Sequence, residues 1–158
     1  MRNVLFVCTG NTCRSPMAEL YFNWSCARRG ISGVVARSAG LMAFSGAPLS
    51  EAARLTLAPL GVEFGDFRSR VLDRALVSEA ELIVAMTAGH LRGIVSQYPE
   101  AGAKCRLLLE FCGEAGPVPD PFGGSVAAYA AVFSLMRPAL DALIDRFDGA
   151  ERRGPIGR

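Results

Sequence analysis

The chain has 158 residues, about half of them hydrophobic, which is enough for one domain with a proper core. Its formal net charge is only +2, so the composition indicates neither a nucleic-acid-binding surface nor a disordered protein. Five cysteines are an odd number that does not fit a secreted disulfide framework, and we expect reduced thiols. No signal-peptide pattern or apolar run of membrane-spanning length stands out, so we expect a cytoplasmic protein that binds no membrane.

The first predicted elements are a short strand and a helix joined by a tight polar loop. Residues 4–7 are apolar and rich in β-branched and aromatic side chains, and small polar residues follow them from Cys8 onward. Ser15 is a favoured helix N-cap and Pro16 suits a first helical position. We therefore predict a helix that ends at Gly30.

Strands and helices continue to alternate along the rest of the chain. We predict strands at 34–38, 82–86 and 105–109, helices at 50–60, 73–78, 88–97 and 126–147, and loops at 61–70 and 110–124. Ser125 is the expected N-cap of the last helix, and Pro138 should bend it. The alternation predicts a single three-layer α/β domain over residues 1–150. It has a four-stranded parallel sheet with helices on both faces, followed by a flexible tail over 151–158.

The loop after the first strand carries the strongest functional signal. A strand, a tight loop and a helix N-terminus bring unpaired backbone amides and the positive end of the helix dipole together. Cys8 and Arg14 enclose five residues, a loop that can curl around one tetrahedral oxyanion. Arginine offers two parallel donors to phosphate, and the same positive field favours the cysteine thiolate. We therefore predict a phosphate-binding loop that transfers a phosphoryl group through a cysteinyl-phosphate.

Simpler interpretations of these residues stay open. Cys8 could be a buried hydrophobic residue at a strand end, and Arg14 could be a surface charge. Ser15 either caps the helix or directs its hydroxyl at the sulfur of Cys8, and the two roles compete for one side chain. Asn11 is the loop residue most able to adopt a positive φ, so its expected role is structural.

Residues Cys8 to Glu19, with the sequence CTGNTCRSPMAE, resemble the signature of the low-molecular-weight protein tyrosine phosphatase family. They resemble most the branch that includes bacterial protein arginine phosphatases, where Thr is common at the place of Thr12. The similarity continues through residues 38–40, 85–87 and 120–125, in the family's order. The resemblance implies a cysteine-dependent protein phosphatase that needs no cofactor.

The resemblance also implies roles for individual residues. Cys8 would be the nucleophile, Arg14 would bind the phosphoryl group, and Asp120 would protonate the leaving group and then deprotonate the attacking water. Further contacts with phosphate or substrate are expected from Thr9, Gly10, Asn11, Thr12, Cys13, Ser15 and Phe122.

Two of these assignments have alternatives of equal or nearly equal weight. Asp120 lies between Pro119 and Pro121, which stiffen the loop, but its spacing alone also fits an ordinary turn residue. Cys13 matches a position that, in the family, can form a reversible disulfide with the nucleophile Cys8 and so act as a redox switch. It could equally be a small side chain that fills the loop.

Thr12 bears on the choice of substrate. Tyrosine-directed relatives usually carry a larger aliphatic residue at its place, which packs on the phenol ring, whereas Thr is smaller and polar and suits a guanidinium arm. We therefore expect a phosphorylated protein as the partner, phosphoarginine as the first substrate and phosphotyrosine as the second. A strict tyrosine phosphatase is the alternative.

Other functions are weighed on particular residues. Thiol-dependent arsenate reductases share the fold but need two further redox cysteines after the third strand, where this chain has residues 85–87, Ala-Met-Thr; Cys105 and Cys112 lie elsewhere. A non-enzymatic phosphate-binding module would lack the nucleophile or the acid, and both are present. The chain also departs from the family at Phe67, where many relatives have a His in a hydrogen-bond network behind the loop. Packing must then support the loop in part, although Ser38 of that network is retained.

We expect no metal site. The single histidine, His90, lies in a predicted helix remote in sequence from Cys8 and Cys13. We expect no nucleic-acid partner and a monomeric protein.

Overall fold

In a computed structural model of the chain, the backbone of residues 1–153 and the side chains of residues 1–149 are described. In this part the four strands are Arg2–Cys8 (β1), Val34–Gly40 (β2), Leu82–Ala85 (β3) and Cys105–Leu107 (β4). The α-helices are Arg14–Arg29 (α1), Glu51–Leu57 (α2), Arg74–Glu79 (α3), Ala88–Gln97 (α4) and Val126–Arg153 (α5). Short 3-10 helices lie at Ala58–Leu60, Pro99–Lys104 and Leu108–Cys112.

The strands form one parallel sheet in the order β2-β1-β3-β4. Because β1 has β2 on one side and β3 on the other, the chain changes direction across the sheet at β1. Ligands bind to such open sheets beside the carboxyl end of the strand at this switch point. The predicted phosphate-binding loop follows β1 and therefore lies there.

Side chains of β1 alternate between two hydrophobic clusters, which places helices on both faces of the sheet. Val4, Phe6 and Cys8 are buried in a cluster with residues of α1, α2 and α5. Leu5 and Val7 are buried in the other cluster, with residues of α3 and α4. The predicted three-layer α/β fold with a four-stranded parallel sheet is confirmed.

Several predicted helix ends are confirmed by their capping contacts. Gly30 ends α1 in the left-handed conformation, with φ 68°. Ser50 caps α2 by accepting a hydrogen bond from the Ala53 amide, and Ser125 accepts one from the Ala128 amide at the start of α5. These signals are local in sequence, which is why they could be recognised without the structure.

Several predicted boundaries are wrong, among them the ends of the fourth strand and of the last helix. The fourth strand stops at Leu107, and a 3-10 helix replaces its last two predicted residues, because Leu108 and Leu109 turn into the core beneath α5. The last helix does not end near residue 147 but continues to Arg153. Of the predicted tail over 151–158, residues 151–153 belong to α5 and residues 154–158 lie outside the described residues.

By length and composition alone, α5 could cross a membrane over Val126–Gly149. We expected no such segment, because charged residues interrupt the apolar sequence of this helix. Core helices of water-soluble folds meet the same criterion, and one face of α5 is buried in the α1-side cluster. The buried residues of this face include Tyr129, Phe133, Met136, Leu140, Leu143 and Ile144. Its packing is that of a core helix.

Glu19 is a buried carboxyl on α1, and the backbone amide of Ser38 on β2 is its hydrogen-bond partner. Burial raises the pKa of Glu19 to about 7, although the positive charges of Arg70 and Arg37 oppose the shift. The unfolded chain releases this proton near pH 4.5, whereas the folded chain keeps it. The fold therefore loses stability as the pH rises from about 4.5 to about 7.

We predict that Glu19→Gln removes this loss of stability. The free energy of unfolding of the variant, relative to the wild type, should increase by about 2 kcal/mol between about pH 5 and about pH 8. Urea denaturation at both pH values measures this difference. Glu63→Gln, which removes a carboxylate from an exposed position, is the control for the change of charge. A relative stability that stays constant over this range would contradict a buried neutral carboxyl at Glu19.

Candidate active site

The loop between β1 and α1 packs directly against the backbone that follows β2. The amides of Leu41 and Met42 donate to the carbonyl oxygens of Cys8 at 3.0 Å and Thr9 at 2.9 Å. At position 40, a Cβ atom would lie 2.4 Å from the Thr9 carbonyl oxygen and 3.0 Å from the Asn11 nitrogen. Only glycine permits this approach, so Gly40 allows β2 to support the loop from behind.

Asn11 is the one non-glycine residue with a positive φ, 55°, in the described part of the chain, as predicted. Its buried side chain connects the loop to three other segments. The Arg70 amide donates to Asn11 Oδ1 at 2.9 Å, and this contact fixes the orientation of the Asn11 amide group. Asn11 Nδ2 then donates to Ser15 Oγ at 2.9 Å and to Ser38 Oγ at 2.8 Å.

Hydrogen bonds therefore support the loop. We had expected packing to do so in part, because Phe67 takes the place of the family's network histidine. The backbone amide of Arg70 supplies a donor to the network, and a backbone donor does not depend on the side chain at position 67. Phe67 itself is half-buried and lines a separate surface groove with Arg54 and Phe64.

Ser15 contacts the sulfur of Cys8 and does not cap α1. The helix begins at Arg14 with Cys13 at its N-cap, and no side chain caps it, so the predicted capping role of Ser15 is wrong. Ser15 Oγ lies 2.9 Å from Cys8 Sγ and 3.5 Å from the Ala39 carbonyl oxygen. Because Asn11 already donates to Ser15 Oγ, the serine proton is available to the sulfur, where it stabilises a thiolate.

Arg14 is buried at the base of the site, with only 5% of its side chain exposed. Its Nη1 donates to the Val118 carbonyl oxygen at 3.0 Å, and its Nη2 lies 3.5 Å from Asp120 Oδ2. Its buried Nε has no hydrogen-bond partner among the described residues. A buried donor without a partner is costly, and an oxyanion in the loop would satisfy it.

The loop after β4 brings Asp120 to the same edge of the sheet. The Met86 amide donates to the Val7 carbonyl oxygen, and the Val118 amide donates to the Met86 carbonyl oxygen at 2.9 Å. This contact holds the loop beside the end of β3 and places Asp120, two residues further along, beside Arg14. The Asp120 carboxylate is 52% exposed, and its Oδ1 accepts from the Phe122 amide at 3.1 Å.

One cavity of about 390 Å³ brings together nine of the ten predicted site residues, and Ser15 lies behind it. The nine are Cys8, Thr9, Gly10, Asn11, Thr12, Cys13, Arg14, Asp120 and Phe122. Three further residues, which the sequence analysis missed, are Met42, Phe44 and Ala47. Phe122, Met42 and Phe44 are strongly exposed, so the mouth of the cavity has an apolar rim. The loop that carries Phe44 is fixed by Ser69, which donates to the Phe44 carbonyl oxygen and accepts from the Ala47 amide.

Cys13 directs its thiol away from solvent toward the start of α5. Its Sγ lies 3.0 Å from the Tyr129 hydroxyl and 3.9 Å from Ser50 Oγ. Burial is the largest cause that raises the pKa of Tyr129, so the phenol keeps its proton. Thr12 is joined to the same region, because the Ser50 amide donates to the Thr12 carbonyl oxygen. The N-termini of α1, α2 and α5 thus meet beneath this side of the cavity.

His90 also reaches the loop, which the sequence analysis did not expect. Its Nε2 lies 2.8 Å from Thr9 Oγ1, and its Nδ1 lies 3.0 Å from Thr87 Oγ1. Thr9 follows β1 and Thr87 follows β3, and these parallel neighbours end at the same edge. Because parallel neighbouring strands end at the same edge of a sheet, the sequence alone could have placed Thr87 beside the loop. In the described residues, no group of three or more His, Cys, Asp or Glu side chains could hold a metal ion.

The sequence profile described as "Low molecular weight phosphotyrosine protein phosphatase" matches residues 3–152. The chain belongs to this family. The match covers the loop, the Asp120 segment and the helices between them, so the predicted family and its class of cysteine-based phosphatases are confirmed.

Relatives in this phosphatase family include enzymes with two substrate names. A protein-arginine-phosphatase of Geobacillus stearothermophilus is 40% identical over 90% of this chain and 91% of its own length. A probable low molecular weight protein-tyrosine-phosphatase, EpsP, of Ralstonia nicotianae is 31% identical over 92% of this chain and 96% of its own length. The solved structure of YwlE arginine phosphatase from Geobacillus stearothermophilus superposes with a TM-score of 0.89, 34% identity and full coverage of both chains.

We predict that Gly40→Ala displaces the phosphate-binding loop of this family member. The added Cβ would meet the Thr9 carbonyl oxygen at 2.4 Å, so the fold should lose about 2 kcal/mol of stability. Phosphatase activity should fall by more than about ten-fold. Denaturation and initial rates measure the two effects.

Gly102→Ala is the matched control for this prediction, because its nearest atoms would lie 3.8 Å away. Equal effects of the two substitutions would show that position 40 has no special constraint.

Proposed function

We propose that the protein removes phosphoryl groups from phosphorylated side chains of proteins in two steps at this cavity. In the first step, the Cys8 thiolate attacks phosphorus, so that the S–P bond forms and the P–N or P–O bond of the substrate breaks. Asp120 donates a proton to the departing nitrogen or oxygen. Arg14 and the loop amides stabilise the negative charge on the phosphoryl oxygens.

In the second step, water attacks the phosphocysteine. Asp120, now ionised, accepts a proton from that water, an O–P bond forms and the S–P bond breaks. The proton of Ser15 stabilises the departing Cys8 thiolate, and inorganic phosphate leaves. Cys8 and Asp120 thus act in both steps, and the enzyme returns to its starting state.

The observation that carries this proposal is the pairing of two groups at the bottom of one cavity. Cys8 Sγ lies 2.9 Å from the Ser15 hydroxyl, and the buried Nε of Arg14 lacks a partner among the described residues. The first feature suits a thiolate, and the second suits an oxyanion. The location of both on a loop between β1 and the N-terminus of α1 supports phosphoryl binding.

Phosphoarginine is the proposed first substrate and phosphotyrosine the second. Thr12, a small polar side chain at the cavity wall, leaves room for a guanidinium arm. Asp120, half-exposed beside the cavity, offers this group a hydrogen-bond partner, and the relative that is 40% identical is named a protein-arginine-phosphatase. The exposed rings of Phe44 and Phe122 could line either side chain.

We also propose that the protein works in the cytoplasm as a monomer, with a phosphorylated protein as its partner. Cys8, Cys13, Cys105 and Cys112 form no disulfide among the described residues, and this suits a reducing compartment. The proposed redox role of Cys13 would require its contact with Tyr129 to break before a disulfide with Cys8 could form.

The two-step mechanism predicts different kinetic losses in three variants. Cys8→Ala should be inactive, because the other thiol of the loop, Cys13, contacts the Tyr129 hydroxyl and not the base of the cavity. Arg14→Lys should lose at least about a hundred-fold in kcat/KM, since lysine cannot supply two parallel donors. Asp120→Asn should lose far more on phosphopeptides than on p-nitrophenyl phosphate, whose leaving group needs little protonation. Appreciable turnover by Cys8→Ala would refute the mechanism.

The substrate proposal predicts an effect of position 12 on selectivity. With one peptide series phosphorylated on Arg or on Tyr, we expect kcat/KM to favour phosphoarginine by about ten-fold or more, or about 1.4 kcal/mol. Thr12→Ile should shift the ratio toward phosphotyrosine, and the smaller Thr12→Ser should preserve it. A wild-type preference for phosphotyrosine would make the protein a tyrosine phosphatase and leave the two-step mechanism intact.

A further inference from the structure

His90 is a buried side chain on α4 that the proposed mechanism does not use. It is the single histidine of the chain and is 8% exposed. Both ring nitrogens lie within hydrogen-bond distance of a threonine hydroxyl, Thr9 on the phosphate-binding loop and Thr87 at the start of α4. The ring therefore bridges the first residue after Cys8 and the end of the neighbouring strand β3.

The contacts of Thr87 favour one direction for these hydrogen bonds. Thr87 Oγ1 caps α4 by accepting from the His90 amide at 3.1 Å. Its own proton then remains free for His90 Nδ1, 3.0 Å away. If Nδ1 accepts, the ring proton is on Nε2, which donates to Thr9 Oγ1 at 2.8 Å.

The ring is uncharged at neutral pH in this environment. Burial and the positive charge of Arg14 lower the pKa of His90 to about 4, although Asp120 opposes the shift. A neutral ring has one donor and one acceptor, and the two threonine hydroxyls can pair with both. When Nε2 donates to Thr9 Oγ1, the proton of the Thr9 hydroxyl is free for another acceptor. Thr9 lines the cavity beside Cys8.

We propose that His90 is a positioning residue of the phosphate-binding loop: held by Thr87 as the Nε2–H tautomer, it orients the Thr9 hydroxyl so that Thr9 donates to an oxygen of the bound phosphoryl group. This inference rests on the proposed function, because it assumes that the loop binds a phosphoryl group. It gives the loop a side-chain donor in addition to its backbone amides and Arg14. A histidine that merely filled space between α4 and the loop would not affect phosphate binding through the Thr9 hydroxyl.

The tautomer can be read directly, because the protein has only one histidine. In ¹⁵N NMR spectra of the wild-type protein at about pH 7, we expect a neutral imidazole with its proton on Nε2. Added inorganic phosphate should shift the Nε2 and Thr9 signals. The inference would be overturned by a neutral ring with its proton on Nδ1 or by an imidazolium. It would also be overturned if the ring signals did not change when phosphate binds.

Matched variants test the role of the Thr9 contact. In His90→Gln the amide nitrogen can reach the place of Nε2, whereas the shorter Asn of His90→Asn cannot. We expect His90→Asn and Thr9→Val each to weaken inorganic phosphate binding by about ten-fold, and His90→Gln to stay within about three-fold of the wild type. The double variant Thr9→Val/His90→Asn should bind no more weakly than either single variant, because both remove one connected set of contacts.

The dissociation constant of inorganic phosphate, measured by titration, separates this inference from the proposed function. If the wild type binds phosphate but Thr9→Val binds it equally well, only the inference fails. If the losses in the double variant multiply, the two residues act independently and the inference also fails. A wild type that does not bind phosphate would overturn both. Should His90→Asn fail to fold, Thr9→Val and the wild-type spectra still decide.

Discussion

The hydrogen bonds of the Asn11 side chain are the constraint on which the active-site geometry depends. They join the phosphate-binding loop to α1 through Ser15, to β2 through Ser38 and to the segment before α3 through the Arg70 amide. Asn11 can make all three because its backbone adopts the left-handed conformation. A buried network with every member paired is stiff, and the loss of one partner leaves others unsatisfied. Ser15 Oγ accepts from Asn11 and also lies 2.9 Å from the Cys8 sulfur, so the network that shapes the loop also contacts the nucleophile.

The carboxyl end of every strand contributes one part of the cavity. The loop that carries Cys8 follows β1, and the backbone at Gly40 supports that loop from β2. His90 comes from the helix after β3, and Asp120 comes from the loop after β4. This arrangement explains how residues more than a hundred positions apart meet without a flexible lid. The donors for an oxyanion are fixed before it binds, which is the main requirement for electrostatic stabilisation of a phosphoryl-transfer transition state.

The sequence predicted the features that depend on local contacts and on the rules of parallel sheets. The Cys8-to-Arg14 loop, the positive φ of Asn11 and the Ser125 cap each follow from residues within a few positions of one another. The role of Ser15 could not be decided from sequence, because capping and contact with Cys8 both suit a serine there. The start of α1 at Arg14, one residue before Ser15, selects the second. The Thr9–His90 contact was missed because it joins residues 81 positions apart. The early end of β4 was missed because an apolar run such as Leu107 to Leu109 suits a strand and a buried turn equally well.

The most direct test of the two-step account is detection of the phosphocysteine itself. The Asp120→Asn variant, mixed with p-nitrophenyl phosphate and quenched with acid, should accumulate the intermediate, because the leaving group departs without an acid while hydrolysis lacks its base. We expect mass spectrometry to find one phosphoryl group on the peptide that contains Cys8. Release of p-nitrophenol without any phosphorylated Cys8, or a phosphoryl group on another residue, would contradict the account.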